Sequence, residues 1–331
     1  MSSTGEAQEI PRFGDPAPVV RIIGWGMMAF LLVFLVNNVL SVSFGLPGAR
    51  AAFNGGGALA WLQMAFYAAG IALALIFVMR TPDTSLRWDA DRLHRFNMYV
   101  IRACFWIVVL IGVADALISF LRVEGIFEMY LSQDAARGFG RSRWVGWNVH
   151  VPLVVVGLIL AFVTRTLGFT WLALLIVIAE LTIVITRFVF SYEQALMGDL
   201  VRYWYAALFL FASAYTLFDE GHVRVDVLYS GFGQTTRGYV NAFGAILLGM
   251  TTSWVIIWIG FDGKQSIINS PIANFEITQT GGTGMFIKYQ MAAFLGIFAI
   301  TMLIQFISYF FESVADYRNH PGHREHEPVS H

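Results

Sequence analysis

Glu180 lies near the middle of an apolar run over residues 169–190, and Arg187 follows seven residues later, close to the same face of a helix. An ionised carboxylate at the centre of a hydrocarbon layer costs about 2.5–3.5 kcal/mol, so such a residue faces protein or an aqueous path and not lipid. Three roles are open to this pair: locking neighbouring helices of one bundle, a proton or ion pathway, or contact with a separate subunit. Locking the bundle is the simplest. Asp115, inside the run 99–121, has no sequence-local partner and is read in the same way. Asp199 and Arg202 are three apart, spaced for an ion pair in the first turn of a helix, with the acid on the N-terminal side where the helix dipole favours it.

A second group of charges follows the run 203–218: Asp219, Glu220, His222, Arg224 and Asp226. Their spacing invites a metal or acid/base site, but one imidazole among scattered carboxylates is a poor ligand set, and a solvated loop or docking surface explains it better. His320, His323, His326 and His331 lie in a polar tail and are expected to bind metal only adventitiously. A b-type haem needs paired axial ligands in facing spans, whereas only His150 lies at a span and His94 and His222 fall in loops. The single cysteine, Cys104, excludes an intrachain disulfide framework and a Cys-based cluster. No metal or cofactor is expected, and the lack of paired axial ligands argues against the membrane anchor of an electron-transfer complex.

These residues are positioned by helices in a membrane. Of 331 residues, 57% are hydrophobic and 13% charged, with 29 Phe and 10 Trp; a soluble domain carries about 25% charged residues. The formal net charge of −1 gives no sign of nucleic-acid binding. Runs long enough to cross a layer of roughly 30 Å occur near 20–44, 57–79, 99–121, 149–167, 169–190, 197–218, 238–260 and 285–311. The fold class is therefore all-α, a polytopic bundle of about eight spans. Arg165 to Gly168 is read as a hairpin, with Gly168 in the turn. The first 19 residues lack an apolar core and are expected to be no cleavable signal.

Placing both termini in the cytoplasm puts eleven Arg residues inside and seven Lys or Arg outside, which favours that orientation. Within 197–218, Ala207 and Ala214, beside Ala206 and Ser213, repeat at seven residues as a small-residue face for close helix packing. Tyr203, Trp204 and Tyr205 are read as an aromatic belt at headgroup depth. Residues 1–168 hold four spans joined by Gly-rich and Arg-rich connections, among them 87–95, and carry no assignable chemical motif. Residues 169–315 hold four more, and 316–331 are expected to be a disordered tail. Broken helices at mid-depth, the mark of a self-sufficient secondary transporter, are absent: Pro152 is near a helix start and Pro271 in a loop.

The region from Glu180 to Asp226 resembles the small permease subunit, DctQ type, of tripartite ATP-independent periplasmic (TRAP) transporters. In that family an acidic pair followed by an Arg opens a helix. Asp199 and Arg202 match the acidic and basic positions here, while Gly198 stands where the first acid would be. The helix then closes on a sequence matched by Glu220, Gly221, His222, Val223, Arg224, Val225 and Asp226. The resemblance covers about residues 169–315, leaving 1–168 as a four-helix extension. It implies a static scaffold in a bacterial inner membrane, held in lipid beside a large permease subunit that carries the substrate and sodium sites. A periplasmic solute-binding protein would deliver an organic acid or similar solute. Glu180, Arg187, Asp199 and Arg202 would fix helix packing and the subunit seam, and Asp219 to Asp226 would anchor the cytoplasmic side.

Overall fold

A computed structural model of the chain describes residues 10–165, 168–193, 195–218, 229–278 and 282–322. Among these, eight helices are long and apolar enough to cross a membrane. They are α1 (Pro18–Ser43), α2 (Gly57–Arg80), α3 (Leu86–Val123), α4 (Ser142–Val163), α5 (Phe169–Phe190), α6 (Ala195–Phe218), α7 (Gln234–Gly260) and α8 (Lys288–Tyr317). The protein is an all-α polytopic bundle, with the spans near their expected positions apart from α3, the start of α4, which comes early, and the end of α8, which comes late. Helix α3 runs for 38 residues. Its first turns are the Arg-rich stretch 87–95, expected as a connection. Ser85 makes the difference: its hydroxyl accepts the Trp88 N–H at 3.1 Å and so caps the helix start.

The chain divides into two compact units. The first comprises Met1–Asn97, Thr216–Val255 and Met302–His331. Its core holds an ion pair with no solvent exposure on either side, Arg21 Nε to Asp89 Oδ2 at 2.7 Å, and the Trp25 indole donates to the same carboxylate at 2.9 Å. Arg21 also donates to the Thr81 carbonyl and, at 3.0 Å, to its hydroxyl. Arg87 is buried as well, reaching Glu312 at 2.7 Å, Asp316 at 2.8 Å and the carbonyls of His320 and Pro321 at 2.9 and 2.8 Å. A buried guanidinium needs this degree of saturation. Arg21 and Arg87 are core residues of this unit. His320 and Pro321 are tied to this core by their carbonyls on Arg87; residues 323–331 lie outside the described ones.

The second unit comprises Met98–Tyr215 and Ile256–Thr301. Glycines allow its helices to approach closely. A Cβ on Gly157 of α4 would lie 3.0 Å from the Ile107 backbone nitrogen, and one on Gly112 of α3 would lie 2.3 Å from Trp204 Nε1. Arg102, an α3 cation, donates to the Ala161 and Thr164 carbonyls at 3.2 and 2.8 Å, and so satisfies the end of α4. Beyond it Gly168 adopts φ +81°, a backbone conformation that favours glycine, at the start of α5. The loops hold short helices, Ile126–Tyr130, Gln133–Phe139 and Asn269–Asn274.

Candidate functional site

The polar residues of the second unit gather where the chain enters α8. Met285, Phe286 and Ile287 are buried, yet precede the helix, so their backbone N–H groups lack intrahelical partners in a region lined by apolar side chains. Side chains supply them. Asp199 on α6 accepts the Met285 N–H at 3.1 Å, and Asp115 on α3 accepts the Phe286 N–H at 2.6 Å. The Gly284 carbonyl accepts from Ser119 at 3.1 Å and from Arg122. Asp115, Ser119 and Arg122 are spaced four and three apart, so one face of α3 presents all three to this segment.

A second layer extends from Asp115. His150 Nε2 lies 3.3 Å from Asp115 Oδ1, while its Nδ1 meets the Tyr289 hydroxyl and the Gln290 amide nitrogen, the latter at 2.9 Å. The Gln290 amide oxygen accepts from the Tyr203 hydroxyl. With Gln290 donating to Nδ1, the imidazole proton belongs on Nε2, facing the carboxylate. Neither His150 Nε2 nor Asp115 Oδ1 completes a well-aligned hydrogen bond, so charge and dipole attraction hold this contact. His150 closes a π-helical turn, Gly146–His150, in which the Val151 N–H reaches the Gly146 carbonyl. Pro152, the next residue, has no N–H to give, and the widened turn sits at that gap.

Every member of the cluster is engaged with this chain's own backbone or side chains. Among the described residues no group of three His, Cys, Asp or Glu side chains is placed to hold a metal ion. The geometry serves to bury a broken backbone segment inside a helical bundle.

Asp199 is buried and pairs with exposed Arg202 at 3.6 Å, as its spacing predicts, but its main geometric role is at Met285. Asp115, expected to be structural, has its partner far away in sequence, the Phe286 N–H. Glu180 is exposed on α5 and has no ion-pair or hydrogen-bond partner among the described residues; the pairing with a neighbouring helix of this bundle is not found. Arg187, also exposed, lies 3.6 Å from Glu193 beyond the helix end. Asp219, Glu220, His222, Arg224 and Asp226 lie outside the described residues. The small-residue face of α6 is buried at Ala207 and Ala214, but Tyr203 and Trp204 are core residues and no belt. The Trp204 indole donates to the Val108 carbonyl at 3.2 Å, leaving Tyr205 as the exposed aromatic there.

Sequence reasoning missed Arg122, Tyr203, Tyr289 and Gln290 as members of the cluster. The four-and-three spacing of Asp115, Ser119 and Arg122 was a usable signal. Tyr289 and Gln290 had none, since both sit at a helix start where polar residues are ordinary. Outside the spans, the Tyr192 hydroxyl donates to Glu124, and the adjacent carboxylate pushes the phenol up to about 12.

Residues 173–315 match the family model for tripartite ATP-independent periplasmic transporters, DctQ component. Neither the curated proteins nor the solved structures searched gave a match. The cluster draws on both parts of the chain, Asp115, Ser119, Arg122 and His150 from before the matched region and Asp199, Tyr203, Tyr289 and Gln290 from within it. Residues 173–315 are thus a DctQ domain of the TRAP transporter family, preceded by an N-terminal extension of membrane helices.

Proposed function

We propose that this chain is the small, static membrane subunit of a TRAP-type secondary transporter. It supports a large permease subunit in ion-coupled symport of an organic acid or similar solute, which a periplasmic binding protein delivers. The chain sits in a bacterial inner membrane with both termini cytoplasmic, and its outer loops at 191–198 and 262–284 contribute to the docking platform.

The DctQ match carries this proposal. The polar cluster supports the static part of it, because Asp115 and Asp199, acids at membrane depth, are committed to backbone N–H groups at fixed positions. An acid that moves a proton or ion through a transport cycle needs freedom that such contacts remove. The extension has a corresponding role: with Asp115 and His150 it completes the polar core of the DctQ domain, so it enlarges the scaffold as an integral part.

Purification in mild detergent followed by mass spectrometry tests the scaffold role. Recovery of a much larger polytopic permease is the expected result. Solute uptake by this chain alone in proteoliposomes would overturn it.

A further inference from the structure

Glu180 is the unusual acid of this protein. Asp89, Asp115 and Asp199 are buried, and each has partners within the chain. Glu180 is exposed at the middle of α5, and no described residue pairs with it. It stands about ten residues from either end of the helix, roughly 15 Å along the axis, which is beyond the reach of a glutamate side chain seeking water. Nearby hydroxyls do not help it: Thr182 and Thr186 each donate back to their own helix, at 2.7 and 2.9 Å.

The rest of α5 shows where the chain's own packing stops. Only Leu172 and Ile176 of its residues are buried, on a side of the helix continued by the half-buried Ile183 and Thr186. Glu180 and Arg187 are two turns apart and nearly in line, on an exposed flank of that contact. A face with an acid at mid-depth and a base at its end has polarity that lipid tails cannot match.

Resting on the scaffold role proposed above, we propose that this α5 face seats a transmembrane helix of the large permease subunit, and that the partner helix presents a Lys or Arg to Glu180 at mid-depth. Charge complementarity selects the occupant. A second copy of this chain packed through the same face would set Glu180 against Glu180, like charge against like charge in a medium of low dielectric. A partner cation removes the cost of the bare carboxylate and fixes the register of the two helices.

The test co-expresses the full-length chain with the large permease subunit of its transporter and recovers the pair through a tag on this chain in mild detergent. Wild type is compared with Glu180→Leu and Glu180→Lys, and thermal unfolding of each chain alone is measured. The expected result is unfolding within a few degrees of wild type for both variants. Recovered permease falls several-fold for Glu180→Leu and at least tenfold for Glu180→Lys, and a reciprocal Lys or Arg→Glu change in a permease span restores it. Permease recovered equally with all three chains overturns the inference and leaves the scaffold role standing. Strong destabilisation of both isolated variants also overturns it, since Glu180 would then serve the chain's own fold. A wild-type homodimer lost in Glu180→Lys assigns the face to a second copy and overturns it too. Failure of wild type itself to recover any permease removes the scaffold role and this inference together.

Discussion

Helices α5 and α6 follow one another, have similar lengths of 22 and 24 residues, and each carries an acid with a base further along. Their environments are opposite. Seven residues of α6 are buried, Asp199 among them, against two of α5. Asp199 earns its place in the membrane by accepting a backbone N–H that has no helical partner, whereas Glu180 meets no partner among the described residues. The contrast teaches that an intramembrane acid is to be judged by the donors around it. One surrounded by its own chain's donors is held by the fold, and one without them is open to a donor from another molecule.

The strongest way to break this contrast is to remove a buried acid. Asp115→Ala leaves the Phe286 N–H without its acceptor and His150 without its facing carboxylate. The expected loss is about 3–5 kcal/mol in detergent-solubilised unfolding, with Asp115→Asn losing less because it keeps an acceptor. Equal stability of wild type and Asp115→Ala would break the claim that buried acids here are structural.

Asp199→Ala is expected to cost about 1.5–3 kcal/mol through the Met285 N–H, while Arg202→Gln, at an exposed partner, changes stability by less than about 0.5 kcal/mol. If the two variants cost the same, the ion pair and not the backbone contact is what matters at Asp199. Packing gives a comparable test on α3. Gly112→Ala drives a methyl group into Trp204, which its bond to the Val108 carbonyl holds in place, for an expected loss of about 1–3 kcal/mol.

The smallest effect concerns the connection between the two helices. Tyr192 is held protonated by Glu124, so the folded protein raises its phenol to about 12 from an ordinary value near 10. A group raised on folding contributes its stability fully below the unfolded pKa and loses it as pH climbs through the folded one. That contribution is therefore intact at neutral pH and fades between pH 10 and about 12. Ultraviolet titration of the phenol should show the Tyr192 midpoint fall toward 10 in Glu124→Ala; an unchanged midpoint would show that the contact does not control it.

The legible parts of this protein were those governed by nearest neighbours along the chain. Eight spans, the positive-φ glycine at 168 and the Asp199–Arg202 spacing all follow from hydropathy or local backbone geometry, which act over a few residues. The start of α3 was misjudged because hydropathy penalises Arg87 and Asp89, whose charges are neutralised by Glu312, Asp316 and Arg21 from distant parts of the chain. Tyr203 and Trp204 were misjudged for the same reason: an aromatic near a span end reads as an interfacial belt until its polar atom finds a buried acceptor, here on Gln290 and Val108.

By itself the sequence determined that the chain is a membrane bundle of eight helices and that its second half carries the DctQ pattern, because apolar run length and short motifs are local properties. Only the tertiary structure decided which acids are occupied. Asp115 and Phe286 are 171 residues apart, and His150 and Gln290 are 140 apart. A donor's partner at that separation is chosen by how the helices pack, and nothing in the spacing of either residue announces it. The same packing leaves Glu180 outside, the one charge at mid-span that α5 presents outward.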